Sequence, residues 1–415
     1  MQKQNFEEFI GTGGGEDLFD KAFKLADYLK NSHDRAEQSL GLELLSPVGA
    51  NVRIQDRSGR RHEAIMLGSN SYLNLTTHPR TVEASEKALK KYGYGMGAVS
   101  LYAGITDLHK DLEMEIADFH GTEDAILFSS GYGTNVGVIS ALCQSGDVVI
   151  NDIANHASIF DGCRLSGAEI KVYPHNNMKR LEQILSRLPE TQKGRMIIVD
   201  GVFSMHGDMA PLDEITSLAG KHGARVMVDD AHGLGVVGPT GRGTAEFYGV
   251  SNLVDLNVGM LSKTPGGIGG YCAGKKEIIH YLRFYARTYF FSTALPAPTV
   301  AGLIEVFRLL KEDKAGRDKL LENVKYIKAG LKRLGFNIGD SNSGIVPIIV
   351  GDEEKLGLFH RDLIDAGVYT NLVSYPAVRR KECRLRLCIL SALSETDMER
   401  ALKAFETAGK RNGII

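Results

Sequence analysis

The chain contains 415 residues with a formal net charge of −2, of which 43% are apolar and 24% charged. This length is too great for one small hydrophobic core and predicts two packed lobes, whereas the near-neutral charge gives no reason to expect nucleic acid or an anionic membrane as a partner. Five scattered cysteines without a Cys-x-x-Cys pair, no signal-peptide pattern and no membrane-length apolar run together favour a cytoplasmic metabolic enzyme without a disulfide framework or zinc cluster.

The first 60 residues predict an N-terminal arm and a hairpin. Apolar residues recur at helical spacing over residues 16–45, with charges between them, which indicates an amphipathic helical arm. After Pro47, the stretch NVRIQDRSGRRHEAIML alternates between apolar and polar residues, and Ser58-Gly59 is a suitable turn.

The rest of the chain predicts a large α/β domain over residues 61–298 and a smaller α+β domain over residues 299–415. Helical stretches alternate with short aliphatic runs, which is typical of parallel βαβ units and a mainly parallel central sheet flanked by helices. The runs are DAILFSS, DVVIND, EIKVYPH, RMIIVDG, RVMVDDAH and YCAG. One long helical segment follows Pro298, and the strand-like GIVPIIV and CRLRLCIL then alternate with the helices EKLGLFHRDLIDAG and ETDMERALKAFETAG.

The first candidate functional segment is FSSGYGTNVG, residues 128–137. An apolar strand runs into Ser129-Ser130-Gly131-Tyr132-Gly133 and then into a predicted helix. Small residues at such a junction let backbone N–H groups approach an anion, and a helix N-terminus favours negative charge. An ordinary tight turn explains this segment equally well when it is considered alone.

The second segment is VMVDDAHGLG, residues 226–235, in which a buried strand ends in Asp229-Asp230 and is followed by His232. Open α/β sheets bind their ligands at the carboxyl ends of the strands. A carboxylate buried there needs a partner, and a positively charged ring nitrogen would serve. In isolation, a helix cap formed by Asp229 or Asp230 is the better explanation.

The third segment is NVGMLSKTPGGIGGYCAG, residues 257–274, where Lys263 stands among small and apolar residues. A lysine shielded from water tends toward its neutral form, which an imine-forming amine requires. A surface lysine on a flexible loop is the alternative. Together, in this order, the three segments supply what pyridoxal phosphate (PLP) needs: an anion pocket, an acid for the pyridine nitrogen and a lysine for the Schiff base.

Other motifs do not carry chemistry. Gly238–Thr244 resembles a phosphate loop but lacks its Gly-Lys-Ser/Thr ending, and Gly93–Gly97 follows a helix where a dinucleotide site needs a strand. His109 and Glu113 lie one helical turn apart, a spacing more typical of a solvated helix face than of a metal site. We therefore expect no metal.

From about Gly68 to Asp397 the sequence resembles the α-oxoamine synthases, fold-type I PLP enzymes that include serine palmitoyltransferase and 8-amino-7-oxononanoate synthase. Nine ordered runs carry the resemblance: GSNSYLNLTTHP, GITDLHKDLE, FSSGYGTN, NHASIFDGCRLSG, DGVFSMHGDMAPLDEI, VDDAHGLGVVGPTGRGT, LSKTPGGIGG, FSTALPAP and CRLRLCILSA.

The resemblance implies a homodimer with shared active sites and a role for each matching residue. Lys263 would form the Schiff base and later move the α-proton, with Asp229 as pyridinium partner and His156 stacked on the ring near the substrate carboxylate. The remaining implied contacts are His232 and Ser204 at the ring hydroxyl, Ser130, Gly131, Tyr132 and Ser262 at the phosphate, Ser292 or Thr293 from the dimer partner, Arg384 at the amino-acid carboxylate, and Asn70 and Tyr72 at the substrate site.

Some of these residues have simpler explanations. His156 could be an interior histidine with satisfied hydrogen bonds, and Tyr72 could have no role other than packing at the dimer interface. Arg384 could form a surface ion pair, and Arg386 competes with it for the carboxylate.

The sequence departs from the family pattern mainly around the substrates. Met260 stands where a threonine often contacts the phosphate, and Gly97–Leu101 lacks the usual arginine. His206 replaces an acidic or small polar residue, and Ser394 replaces a histidine. These departures indicate an unusual acyl donor or a specialised pathway.

The implied reaction is a decarboxylative condensation. An amino acid displaces Lys263 from the imine, Lys263 removes its α-proton, and the carbanion attacks an acyl thioester on CoA or a carrier protein and expels the thiol. Loss of carbon dioxide and reprotonation then yield an α-amino ketone. A PLP-dependent aminotransferase or aldolase-like lyase is the alternative. A non-catalytic subunit of a heterodimeric synthase is disfavoured because Lys263 is present.

Overall fold

A computed structural model describes residues 17–30, 40–56 and 59–415. The helices are α1 Asp20–Lys30, α2 Pro79–Tyr92, α3 Asp107–His120, α4 Gly131–Leu142, α5 Ala157–Ser166, α6 Met178–Ser186, α7 Leu212–His222, α8 Thr244–Phe247, α9 Lys276–Tyr285, α10 Arg287–Phe290, α11 Ala297–Glu312, α12 Lys314–Leu334, α13 Glu353–Asp365 and α14 Glu395–Arg411. The strands are β1 Glu43–Leu44, β2 Asn51–Gln55, β3 Arg61–Met66, β4 Asp124–Phe128, β5 Val148–Asp152, β6 Glu169–Tyr173, β7 Arg195–Asp200, β8 Arg225–Asp229, β9 Leu256–Met260, β10 Gly270–Gly274, β11 Ile345–Ile349, β12 Val368–Tyr369, β13 Asn371–Val373 and β14 Arg384–Cys388.

The chain divides into two compact units. The larger unit comprises residues 70–322 and 342–344, and the other comprises residues 1–69, 323–341 and 345–415. The other unit therefore joins β3 to the C-terminal segments, whereas the predicted boundaries placed β3 in the large domain. The predicted domain limits at 60/61 and 298/299 stay a prediction.

The larger unit is built on a seven-stranded sheet in the order β4-β10-β9-β8-β7-β5-β6. All neighbouring pairs are parallel except those of β10, which runs antiparallel to both β4 and β9. Alternate residues face opposite sides, so that Ile198 and Met227 pack into one apolar cluster, whereas Ile197 and Val226 pack into another. Because both faces are covered, the strands are almost wholly apolar, as the sequence predicted for a parallel sheet.

The other unit contains two small sheets. One has the order β1-β2-β3-β12, and the other has the order β11-β14-β13. The hairpin of β2 and β3 is confirmed, since Asn51 pairs with Ile65 and Gln55 with Arg61. Gly59 takes a φ of 84° in the connection, a value that favours glycine, while Ser58 lies outside the described residues. The predicted mainly parallel α/β fold with a smaller C-terminal α+β part is thus confirmed.

Three local predictions need correction or extension. The long helical segment after Pro298 is two helices, because the chain leaves the helical conformation at Asp313, with φ −98° and ψ 94°. Strand β9, which leads to Lys263, was not among the predicted strands. Helix α1 covers part of the predicted arm, and residues 31–39 of that arm are outside the described ranges. Among the described helices, none combines the length and the apolar composition needed to cross a membrane.

Candidate active site

The carboxyl ends of the parallel strands bring the chemically important residues to one edge of the central sheet. Asp200 ends β7, Asp229 ends β8, and the two residues pair directly in the β7–β8 ladder. Strand β9, parallel to β8, ends at Met260, and Lys263 follows three residues later. Parallel strand direction therefore gathers side chains that are far apart in sequence.

Asp229 is a buried carboxylate that is 3% exposed. Its Oδ2 accepts a hydrogen bond from Asn135 Nδ2 at 2.6 Å, and its Oδ1 accepts one from the Ala231 N–H at 3.1 Å. Burial raises the pKa of Asp229, while the hydrogen bond from Asn135 and the charges of His156 and Lys263 lower it. Such a carboxylate favours a cationic partner, and a protonated pyridine nitrogen provides one.

Asp230, not Asp229, has the structural role that the sequence left open between them. Its Oδ2 accepts hydrogen bonds from the N–H of Thr244 at 2.5 Å and from Oγ1 of the same residue at 2.9 Å, at the start of α8. Burial raises its pKa to about 7. Asp229 is therefore available for a ligand while its neighbour stabilises the following loop.

The N-terminus of α4 forms the predicted anion cradle. Ser130 is the N-cap, and its Oγ accepts a hydrogen bond from the N–H of Gly133 at 2.9 Å. The first-turn amides of a helix have no acceptor within the helix, so those of Gly131 and Tyr132 suit an anion. A Cβ built on Gly131 would lie 1.8 Å from Met260 Sδ, so this position has no room for a larger residue.

Two histidines of the site are held by hydrogen bonds through Nδ1. His232 Nδ1 lies 2.8 Å from the Tyr72 hydroxyl, and both side chains are buried. His156 caps α5, and its Nδ1 lies 2.7 Å from Ser158 Oγ. The residue itself is exposed. Each ring is thereby oriented by a neighbouring hydroxyl.

Lys263 is half-buried and follows β9, the parallel neighbour of the strand that ends in Asp229. Its carbonyl accepts the N–H of Gly266 at 2.9 Å, which closes a turn, and Ser262 beside it is exposed. The strand arrangement thus brings the lysine to the same edge of the sheet as the acid.

The donors present fit PLP. A glycine-lined helix N-terminus suits its phosphate, a buried carboxylate suits its ring nitrogen, and a half-buried lysine after the neighbouring strand suits its aldehyde. These features match the three segments singled out in the sequence.

Comparisons with known proteins agree. Residues 62–405 match the family described as aminotransferase class I and II. An 8-amino-7-oxononanoate synthase of Thermoanaerobacter pseudethanolicus is 45% identical over 353 residues, which are 85% of this chain and 89% of that protein. A Sphingomonas wittichii serine palmitoyltransferase structure superposes with a TM-score of 0.90 at 34% identity, covering 96% of this chain and 100% of the other. A serine palmitoyltransferase structure with PLP as internal aldimine superposes with a TM-score of 0.89 at 33% identity, covering 96% of this chain and 100% of the other.

The chain belongs to the class I and II aminotransferase family. Within it, the chain is an α-oxoamine synthase that uses PLP. It is an acyltransferase that condenses an amino acid with an acyl thioester and releases carbon dioxide.

Asn70 and Tyr72, predicted as substrate residues of the synthase, belong to the larger unit. Arg384 belongs to the other unit, on β14. Arg384 is 2% exposed and donates from Nε to the Glu382 carbonyl at 2.7 Å. Arg386 is 7% exposed and, two residues along the same strand, lies on the same face, so both arginines stay candidates for the carboxylate.

The remaining predicted contacts of the synthase lie on loops. Ser204 is half-buried in the loop after β7. Thr293 is exposed, its carbonyl accepts a hydrogen bond from Ser129 Oγ at 2.6 Å, and Ser292 precedes it. Tyr132 is 49% exposed, and its hydroxyl donates to Asp161. The phosphate and dimer contacts predicted for these residues therefore stay proposals.

Sequence reasoning missed three buried residues of the site. Asn135 and Ser158 are fully buried between Asp229 and His156, and Asp200, which is 4% exposed, pairs with Asp229 in the β7–β8 ladder. Burial, and then the negative charge of Asp229, raise the pKa of Asp200 well above its usual range. The ending of RMIIVD in an acid, as in RVMVD, is the signal that could have identified Asp200.

The motifs set aside in the sequence have structural roles, although one prediction was wrong. His109 and Glu113 do not lie on a solvated helix face, being 1% and 3% exposed. His109 completes the capping box of α3, and Glu113 pairs with Arg283 at 3.0 Å.

Proposed function

We propose that Lys263 and Asp229 are the core of the catalytic site and that the chain works as a homodimer. The observation that supports this most directly is the placement of the two residues, since buried Asp229 ends β8 and half-buried Lys263 follows its parallel neighbour β9. PLP, when bound, supplies the electron sink that makes loss of an α-proton feasible.

In this proposal Lys263 has two tasks at one atom. Its Nζ would hold the cofactor aldehyde, and as a free amine it would remove a proton from the substrate Cα and later return one. Asp229 would keep the ring nitrogen protonated, and Asn135 orients that carboxylate by donating to Oδ2. His232, held by Tyr72, would donate to the ring hydroxyl, with Ser204 beside it.

The phosphate would bind at the N-terminus of α4. The amides of Gly131 and Tyr132 donate to it, Ser130 caps the helix, and the exposed hydroxyl of Ser262 adds a further donor. Ser292 or Thr293 of a second copy would complete the cradle.

Exposed aromatic side chains support the homodimer. Tyr102, Phe291 and Tyr285 are 76%, 66% and 60% exposed, and Tyr281 stacks on Tyr285 at 4.4 Å between ring centroids. Large exposed apolar groups in one unit mark a surface that is covered in the working protein. Light scattering should give twice the monomer mass, and a monomeric species that binds PLP as tightly would contradict the shared site.

Arg384 would bind the amino-acid carboxylate, with Arg386 as the competing residue and Asn70 and Tyr72 near the substrate. The amino acid and the acyl carrier, CoA or carrier protein, are best defined by testing each amino acid against acyl thioesters of both kinds and measuring product mass. L-serine is the first choice, since the neighbouring structures are named serine palmitoyltransferase. The near-neutral charge and the five buried free thiols favour a cytoplasmic location.

The decisive experiment replaces Lys263. Lys263→Ala should abolish both the visible absorbance of covalently held PLP and the release of carbon dioxide from a carboxyl-labelled amino acid. Lys275→Ala, which changes an exposed lysine at the start of α9, is the matched control and should retain both. Full activity of Lys263→Ala would refute the assignment.

A further inference from the structure

A continuous line of hydrogen bonds joins Asp229 to His156 through two buried residues. Asn135 Nδ2 lies 2.6 Å from Asp229 Oδ2 and 2.9 Å from Ser158 Oγ. Ser158 Oγ lies 2.7 Å from His156 Nδ1, and the Ser158 backbone N–H also points to that nitrogen at 3.3 Å. Asn135 and Ser158 are both 0% exposed, so water does not replace these bonds.

The direction of each bond follows from the first. An ionised carboxylate only accepts hydrogen bonds, so the amide of Asn135 must present its NH₂ group, since its Oδ1 would place two acceptors 2.6 Å apart. The second hydrogen of this NH₂ goes to Ser158 Oγ. Asn135 Oδ1 is buried without a hydrogen-bond partner among the described residues, a cost of about 1–3 kcal/mol that the two donated bonds must outweigh.

The hydrogen bonds of Ser158 determine which ring nitrogen of His156 carries the proton. Ser158 Oγ accepts from Asn135, so its own hydroxyl hydrogen is free to donate to His156 Nδ1, toward which the Ser158 backbone N–H also points. A ring nitrogen that accepts two donors carries no proton. The ring proton of neutral His156 therefore lies on Nε2.

We propose that Asn135 and Ser158 are positioning residues that hold His156 as its Nε2–H tautomer, with Asp229 as the anchor of the chain. His156 then offers a single N–H donor, from an exposed residue, to the carboxylate of the amino-acid substrate. This inference rests on the proposed roles of His156 and Asp229. It adds a physical link between the acid that binds the cofactor ring and the group that meets the substrate.

The tautomer can be measured in the wild-type protein, and a variant is needed only to assign the signals. In the PLP-loaded protein labelled with ¹⁵N-histidine, the His156 signals, assigned by their loss in His156→Gln, should show a protonated Nε2 and an unprotonated Nδ1. A proton on Nδ1 would overturn the proposal.

Variants test the role of the chain in binding. Ser158→Ala removes one donor to Nδ1 and leaves the Asn135–Asp229 bond, so it should weaken binding of L-serine or L-alanine, followed by the visible spectrum, by about tenfold. PLP affinity should change by less than about threefold, and Ser158→Thr should restore part of the loss. Asn135→Leu should instead weaken PLP binding by about tenfold or more, because Asp229 loses its buried donor.

Ser140→Ala is the matched control, since Ser140 lies on α4 but its hydroxyl donates to the Val136 carbonyl, at 2.6 Å. Amino-acid binding by Ser158→Ala equal to that of the wild type would overturn the inference, while a Lys263→Ala protein with full activity would overturn the proposed function on which it rests.

Discussion

The contact between Gly131 and Met260 gives a prediction that depends only on packing. Gly131 has an ordinary backbone conformation, so alanine would be acceptable there on conformational grounds. A Cβ at this position, however, would lie 1.8 Å from Met260 Sδ, 3.0 Å from Cγ and 3.2 Å from Cε. Since carbon atoms in contact lie about 3.5–4.0 Å apart, the thioether would have to retreat by about 2 Å.

Met260 has little space for that retreat. It is 6% exposed and belongs to a cluster of buried side chains that includes Phe128 and Val258. Overpacking of this kind costs about 1–3 kcal/mol, and part of the strain can be relieved by moving the N-terminus of α4. Because its amides are the proposed phosphate donors, Gly131→Ala should raise the dissociation constant of PLP by about 5- to 150-fold.

A double-mutant cycle separates this strain from other effects. Met260→Ala removes the clashing atoms, so adding Gly131→Ala in that background should cost at least about 1 kcal/mol less in PLP binding than in the wild type. PLP titration followed by visible absorbance measures all four proteins. Gly95→Ala is the control, because a Cβ there meets no atom of the described residues within 4 Å. Equal losses from Gly131→Ala in both backgrounds, or no loss at all, would refute the steric argument.

Two further predictions concern histidines. His175 Nδ1 lies 3.1 Å from a carboxylate oxygen of Asp152, and its Nε2 lies 2.8 Å from one of Asp208. Burial lowers the pKa of His175, but the two hydrogen bonds outweigh burial and raise this pKa to about 9. The protonated ring therefore stabilises the fold fully below its unfolded pKa of about 6.5, and this contribution of up to about 3 kcal/mol is lost as pH rises through 9. The difference in thermal midpoint between wild type and His175→Gln should accordingly shrink at alkaline pH, and a constant difference would contradict this. Tyr72→Phe should weaken PLP binding by about two- to tenfold, because it removes the hydrogen bond to His232 Nδ1, while unchanged PLP affinity and spectrum would show that this bond is not needed.

The sequence alone determined the fold class and the chemical centre. Aliphatic runs separated by helical segments specify a parallel sheet, because such strands are covered on both faces and need long connections. Strand-end acids, a small-residue turn and a shielded lysine indicated PLP, because each residue type has a distinct task toward that cofactor. These properties depend on residue type and local spacing, and both can be seen directly in the amino-acid sequence.

Only the tertiary structure decided how the site is supported. The sequence could not choose between Asp229 and Asp230 as the capping acid, since that depends on which carboxyl meets Thr244, 14 residues away along the chain. It also gave Asn135 and Ser158 no role, because an amide and a hydroxyl become significant only when folding buries them between Asp229 and His156. Burial and direction of approach decide such contacts, and neither is encoded in the spacing of residues along the chain.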